Sequence, residues 1–328
     1  MKRIQHSEIG DPAAVLKVVD VDVPSPGAGQ VRVKVLATPI HPSNLLKVAG
    51  LYGVKPELPD NPGTEGVGEV VELGEGVDSL AVGQRVLLTA GVPTWTTQLV
   101  APAAGLVPVP NEADPEQLSM LVINPMTAYL MLHTVAELKA GDWVVQSAAN
   151  SAVGEYLIQL AKIAGFRTVN VVRRENVTDR LKALGADAVV VAGEELPKRI
   201  HQATGGEPTR LAIDAVAGDT LGALLASLGE GGTAVSYGAM SMQPAPVQPG
   251  SMIFNDLTLR GFWLSKWFKT ASPADRQRAF GAMIPLVAGG QVKTQIDARF
   301  PLEQITEAVT RAAEAGRSGK VLLVPDHG

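Results

Sequence analysis

A phenol, a pair of adjacent guanidiniums and a short loop between a strand and a helix are the groups in this sequence most suited to chemistry. Tyr52 sits in KVAGLYGV, a loop-like stretch that follows Pro42, Ser43 and Asn44. A phenol ordinarily keeps its proton to about pH 10, so a positioned tyrosine can serve as an acid at neutral pH. Taken alone, Tyr52 reads more simply as a half-buried loop side chain. The other groups lie in residues 143–174, WVVQSAANSAVGEYLIQLAKIAGFRTVNVVRR, which read as strand, tight loop, helix, turn and strand. Such a βαβ unit sets a helix N-terminus against a pyrophosphate. Aligned on G-x-G-x-x-G, the loop supplies Ala149, Ser151 and Gly154, so only the last glycine remains. Asn150 and Ser151 add side-chain donors, and either also suits an ordinary helix cap. An acidic residue closing the second strand would hold the 2′-hydroxyl of NAD. Arg173 and Arg174 stand there instead and fit the 2′-phosphate of NADP, while Glu175 beside them opposes it. Two solvated surface arginines are the plain alternative.

Composition narrows the classes. The chain has 328 residues, 46% hydrophobic, which favours two domains with ample core. A net charge of −5 argues against a duplex nucleic-acid binder. With no cysteine, disulfides and cysteine-containing zinc sites are excluded, and a reducing compartment suits the chain. The five histidines, at 6, 41, 133, 201 and 327, show no ligand spacing and read as surface or satisfied residues. MKRIQHSEIGD lacks the apolar run of a secretory signal, and no stretch reaches the roughly 20 apolar residues of a membrane span. A soluble cytoplasmic protein is the expectation.

The elements that must position these groups change character along the chain. Residues 15–23 and 31–36 alternate as half-buried strands, and glycines at 63–68, 74–76 and 83 punctuate strands at 69–73 and 84–88. A β-barrel is expected. Asp114-Pro115-Glu116-Gln117 reads as a helix start, with Gln117 placed to reach back. From Leu118, strands at 143–147, 168–172, 188–191, 211–216, 233–237 and 257–263 alternate with helices, which predicts a doubly wound parallel sheet. A helix at 274–287, a segment at 292–300, a helix near 302–315 and a strand at 320–324 follow, and return to the first domain.

A barrel before and after a Rossmann domain resembles the medium-chain dehydrogenase/reductase superfamily, and PGTEGVGEVVELGEGV looks like its glycine-rich signature. The resemblance implies an α/β fold with two domains. A GroES-like β-barrel catalytic domain would take 1–117 and 267–328, and a Rossmann NADP-binding domain 118–266. Thr64 stands where the zinc-dependent branch carries a histidine, so a zinc-free member is implied. HPSNLLKVAGLYGVKPELP, INPMTAY, AANSAVG, NVVRR, YGAM and LRGFWLSKW together resemble the trans-2-enoyl-CoA/ACP (2-enoyl thioester) reductases. GFWLSKW, with two of the chain's four tryptophans, is the more specific of these.

That resemblance implies NADPH-dependent reduction of enoyl thioesters of CoA or acyl carrier protein. Tyr52 would be the proton donor. The implied cofactor contacts are Asn124, Asn150, Ser151, Ala152, Val153, Arg173, Arg174, Glu175, Tyr237, Gly238, Ala239, Met240, Phe262, Trp263, Leu264 and Lys320, with Tyr52 and Trp263 also at the substrate. Tyr129 and Tyr156 fall at apolar helical spacing and read as core. Asn124 doubles as a helix start, Phe262 to Leu264 as an interface, and Lys320 as a surface lysine. Lys266, Lys269, Arg276 and Arg278 form a local basic cluster that suits CoA phosphates or an acidic carrier protein, or simply solvent. A homodimer is expected across the sheet edge at 257–263. An NADPH:quinone oxidoreductase and a non-catalytic NADPH-binding protein are the alternatives, and fold alone does not choose among them.

Overall fold

The computed structural model describes residues 1–89 and 91–325, so His327 lies outside the described residues. The chain divides into two compact units, Met1–Ile123 with Ile284–Gly328, and Asn124–Met283. These seams fall later than the expected 117/118 and 266/267. The helix Pro115–Ser119 packs on two strands of the first unit, and the Ile123 N–H is bound by Glu65, which keeps 118–123 with that unit. At the other seam Phe268 stacks on Phe280, tying the start of the helix Pro273–Ala288 to the second unit.

The first unit is organised by one long strand, Gln30–Pro39, in which Val31, Val33, Val35 and Ala37 are buried while Arg32, Lys34 and Leu36 between them are partly exposed. This is the period-2 pattern of a sheet with one wet face. It pairs antiparallel with Val67–Leu73, Gln98–Pro102 and Lys320–Leu323, so the C-terminal strand does return to this unit. Glycine at position 74 is required because a Cβ there would collide with the Gly27 carbonyl oxygen. Two local expectations fail. Residues 15–23 hold only a short strand, Lys17–Asp20, because Asp11 and Pro12 start a one-turn helix, Pro12–Val15, that uses up the preceding residues. Gln117 does not reach back to close a capping box: it exchanges two hydrogen bonds with the Thr294 backbone, at 3.0 and 3.1 Å.

The second unit is a six-stranded parallel sheet. In spatial order its strands are Ala188–Val191, Arg167–Val172, Trp143–Gln146, Thr209–Asp214, Leu228–Ser236 and Thr258–Gly261. The order reverses between Trp143–Gln146 and Thr209–Asp214, which is the switch point where ligands bind at the carboxyl ends of strands. Val145, Val169, Val171, Ala212 and Ala234 form the sheet's contribution to a core closed by Leu196, Ile200, Leu221 and Leu224 of the helices. Thr258–Gly261 is an edge strand, exposed along its whole length. Among the described residues no helix is long and apolar enough to cross a membrane.

Candidate active site

The cofactor loop is built from the sheet upward. Beneath it, buried Gln146 donates to the Gly154 carbonyl at 3.0 Å and to Asn170 Oδ1 at 2.7 Å. Ser147 donates to buried Asp214 at 2.6 Å and accepts from the Ala215 N–H, locking the two strands at the switch point. Asp214 also binds the N–H groups of Val216 and Ala217, and Ala217 is held at a positive φ of 64°. None of these polar supports was singled out in the sequence, because each looks locally like an ordinary strand residue.

Above this floor the chain turns through Ala148, at φ 48°, and buries Ala149. The helix Ala152–Ala164 then starts with Ser151 as its cap, its hydroxyl accepting from the Gly154 N–H at 3.1 Å. The first-turn N–H groups of Ala152 and Val153 have no intrahelical acceptor, as at every helix start, and face an incoming anion favourably. In this turn glycine is required at 154: a Cβ there would lie 2.5 Å from the Ala149 carbonyl oxygen. Asn150 is exposed on this turn.

Several candidates do come together in this unit. Ser151 hydrogen-bonds the phenol of Tyr237, whose ionisation is pushed above the ordinary tyrosine range, chiefly by burial. Gly238 fits tightly against Ala215, and the N–H of Met240 donates to Ala215 O at 3.0 Å, so 237–240 lie along the switch-point edge. Phe262 donates to Ser236 O at 2.9 Å, and Trp263, 42% exposed, caps the helix Leu264–Thr270. Asn124 begins the helix Asn124–Thr134, which packs on Ala152–Ala164. Its amide nitrogen is buried without a hydrogen-bond partner among the described residues. Arg173 and Arg174 leave the end of Arg167–Val172 exposed, and among the described residues neither has an ion-pair partner. Exposed Glu175 follows immediately.

Two candidates lie in the first unit. Tyr52 follows the helix Pro42–Val48, half-buried, its N–H donating to Leu46 O at 3.2 Å. Lys320 is not a surface lysine: its buried ammonium donates to Ile40 O at 2.9 Å and sits 3.1 Å from His41 Nδ1. His41 Nε2 in turn lies 2.6 Å from Glu65 Oε1, and Glu65 Oε2 accepts from the Ile123 N–H. The histidine count gave no hint of this cluster, because its three members are 24 and 279 residues apart. Tyr156 is fully buried, as a core residue is, while Tyr129 is half-buried with its ring tilted against His133. Lys266, Lys269, Arg276 and Arg278 are all exposed, and Arg278 pairs with Asp275 at 2.9 Å.

Residues 27–111 match the alcohol dehydrogenase GroES-like domain, and residues 152–288 the zinc-binding dehydrogenase family. The mitochondrial enoyl-[acyl-carrier-protein] reductase of Homo sapiens is 37% identical over 98% of this chain and 88% of its own length. The chain belongs to the enoyl thioester reductase family. Solved structures similar to the chain include enoyl thioester reductases and quinone reductases. The mitochondrial 2-enoyl thioester reductase Etr1p/Etr2p heterodimer from Candida tropicalis matches with a TM-score of 0.85 at 26% identity, over 98% of this chain and 99% of that one. The Etr1p/NADP/crotonyl-CoA complex matches at 0.86 with the same identity and coverage. A Bacillus thuringiensis protein assigned as an NADPH:quinone reductase matches at 0.91, 30% identical over 98% of both chains.

The residues present fit NADP. A close-packed glycine turn at 154, a buried unpartnered amide at Asn124 and two uncommitted guanidiniums beyond the second strand are the features a phosphorylated dinucleotide needs. They do not fit the zinc in the matched family's name. The chain has no cysteine, and Thr64 is engaged by the Asn44 amide at 3.2 Å.

Proposed function

We propose that this chain reduces trans-2-enoyl thioesters, of CoA or of acyl carrier protein, to saturated acyl thioesters at the expense of NADPH. The observation that carries the reading is the full-length match to enoyl-[acyl-carrier-protein] reductases, together with a tyrosine held at position 52 by the helix before it. When bound, NADPH supplies the hydride that goes to the β-carbon. Tyr52 holds the proton that goes to the α-carbon, and a phenol keeps it available at neutral pH. The first-turn N–H groups of Ala152 and Val153, with Asn150 and Ser151, bind the pyrophosphate. Arg173 and Arg174 take the 2′-phosphate, opposed by Glu175. Asn124, residues 237–240 and Phe262 to Leu264 orient the nicotinamide, and Trp263 shields the acyl group from water. Ser151 fixes the Tyr237 phenol, so pyrophosphate and nicotinamide contacts are coupled through one hydroxyl.

The protein works as a homodimer paired along the exposed edge Thr258–Gly261, where Ile253 and Phe254 are also exposed. That Etr1p/Etr2p is a heterodimer supports a two-subunit assembly. The cytoplasm is the proposed compartment, although the enoyl reductases it resembles carry mitochondrial names.

Quinone reduction is the second reading, favoured by the fit to the Bacillus thuringiensis protein. It asks for no proton donor at Tyr52. NADPH oxidation followed in parallel with crotonyl-CoA, a longer enoyl-CoA and a benzoquinone separates the two. Enoyl thioester turnover is expected; turnover with the quinone alone refutes the reductase.

A further inference from the structure

Lys320, His41 and Glu65 are each buried and form a hydrogen-bonded row within the first unit. The spacings are 3.1 Å from Lys320 Nζ to His41 Nδ1 and 2.6 Å from His41 Nε2 to Glu65 Oε1. The ends are pinned by backbone, Lys320 on Ile40 O and Glu65 on the Ile123 N–H. One geometry accepts two proton arrangements. In the first, an ammonium donates to Nδ1 and Nε2–H donates to a carboxylate. In the second, a carboxylic acid donates to Nε2 and Nδ1–H donates to a neutral amine. Both carry the same number of protons, both have zero net charge, and both keep His41 hydrogen-bonded on each side. They differ by a proton moved at each end and a switched imidazole tautomer.

The same residues hold the helix that presents Tyr52. His41 is the N-cap residue of Pro42–Val48, its N–H accepted by Asn44 Oδ1 at 2.9 Å, while Asn44 also binds Thr64. At the other end of this seven-residue helix, Leu51 and Tyr52 both donate to Leu46 O. His41 thus stands at one end of this helix, and the backbone that carries Tyr52 is bonded to the other.

We propose that Lys320, His41 and Glu65 are a buried, bidirectional proton wire that acts as a positioning unit for Tyr52. This rests on the enoyl reductase reading. Burial dominates the electrostatics. It raises the Glu65 carboxyl to about 8, lowers the Lys320 ammonium to about 7, and holds the His41 ring well below the ordinary histidine range. Arg317, before the last strand, faces the group and opposes a cation on His41 or Lys320. Asp297 and Arg311 stand behind Arg317. Adding or removing one proton leaves a net charge in a dry site, so the wire is best ordered over an intermediate pH range.

The wild-type protein, labelled with ¹⁵N at the histidine rings, tests the wire by NMR between pH 5.5 and 9. A neutral His41 ring with both tautomers populated, in a ratio that pH leaves unaltered while the row keeps its proton count, is expected. Conversion to imidazolium near the ordinary histidine pKa overturns the wire, and so does a single unchanging tautomer. Positioning is tested by His41→Asn and Glu65→Gln. The expected result is a kcat lowered roughly 10- to 100-fold with an unchanged KM for NADPH and a displaced alkaline inflection. A folded variant with the wild-type kcat and pH profile overturns it. If one variant does not fold, the other decides positioning and the NMR titration decides the wire. Wild-type protein that fails to turn over crotonyl-CoA refutes the reductase reading, while the ring titration still judges the wire.

Discussion

At the scale of single residues, the proposed cofactor choice rests on three consecutive side chains with opposing charges. Arg173 and Arg174 are exposed and uncommitted among the described residues, and Glu175 adds a carboxylate next to where a 2′-phosphate would sit. Replacing both arginines by alanine is expected to lower kcat/KM for NADPH by about 10- to 100-fold with little effect on NADH, since two charge-assisted contacts are removed. Glu175→Gln is expected to move the NADPH/NADH ratio the other way. An NADH preference in the intact protein would refute this role for the arginines. Glu65 has a pH signature of its own. Its carboxyl is raised to about 8 by burial, so the folded state holds that proton more tightly than the unfolded chain does. Its contribution to stability is therefore full below about pH 4.5 and lost as pH rises through 8. Relative to Glu65→Gln, the wild type is expected to lose Tm steadily between pH 5 and 8; a constant difference would contradict it. The arginine pair was legible because its position follows from one local βαβ pattern. The Lys320–His41–Glu65 row was not, since its members are far apart in sequence and only the fold aligns them.

At the scale of elements, the six parallel strands were visible because each is an apolar run bounded by turn residues and followed by a helical period. The reversal of strand order was implied by the same alternation. What escaped was the polar carpentry under the loop. Gln146, Ser147, Asn170 and Asp214 hold backbone and one another, and no spacing in a single strand announces that. Gln117 shows the same limit, since its partner Thr294 lies 177 residues away. The loop's surviving glycine gives a sharp test. Gly154→Ala must push a methyl against the Ala149 backbone, so the turn shifts at a cost of about 1–3 kcal/mol. NADPH binding measured by calorimetry is expected to weaken roughly tenfold or more, with the fold retained by circular dichroism. Wild-type affinity in this variant would show that the turn is not the phosphate cradle.

At the scale of the whole molecule, the exposed edge strand Thr258–Gly261 and the apolar side chains beside it call for a partner, and a second copy of the chain is the simplest. Light scattering is expected to give twice the mass of the 34.3 kDa chain, and a monomer would contradict the pairing. The division of labour between the units is where the function was hardest to read. The second unit declares a dinucleotide through its topology, yet a Rossmann sheet serves many reactions, and relatives of this fold include enoyl thioester and quinone reductases. The proposed reaction draws its proton from one phenol in the first unit. Tyr52→Phe, assayed with crotonyl-CoA at saturating NADPH, is therefore the most direct measurement. Loss of kcat by about 10²- to 10⁴-fold, with NADPH affinity unchanged, is the expected result; turnover at the wild-type rate would show that the proton comes from another group.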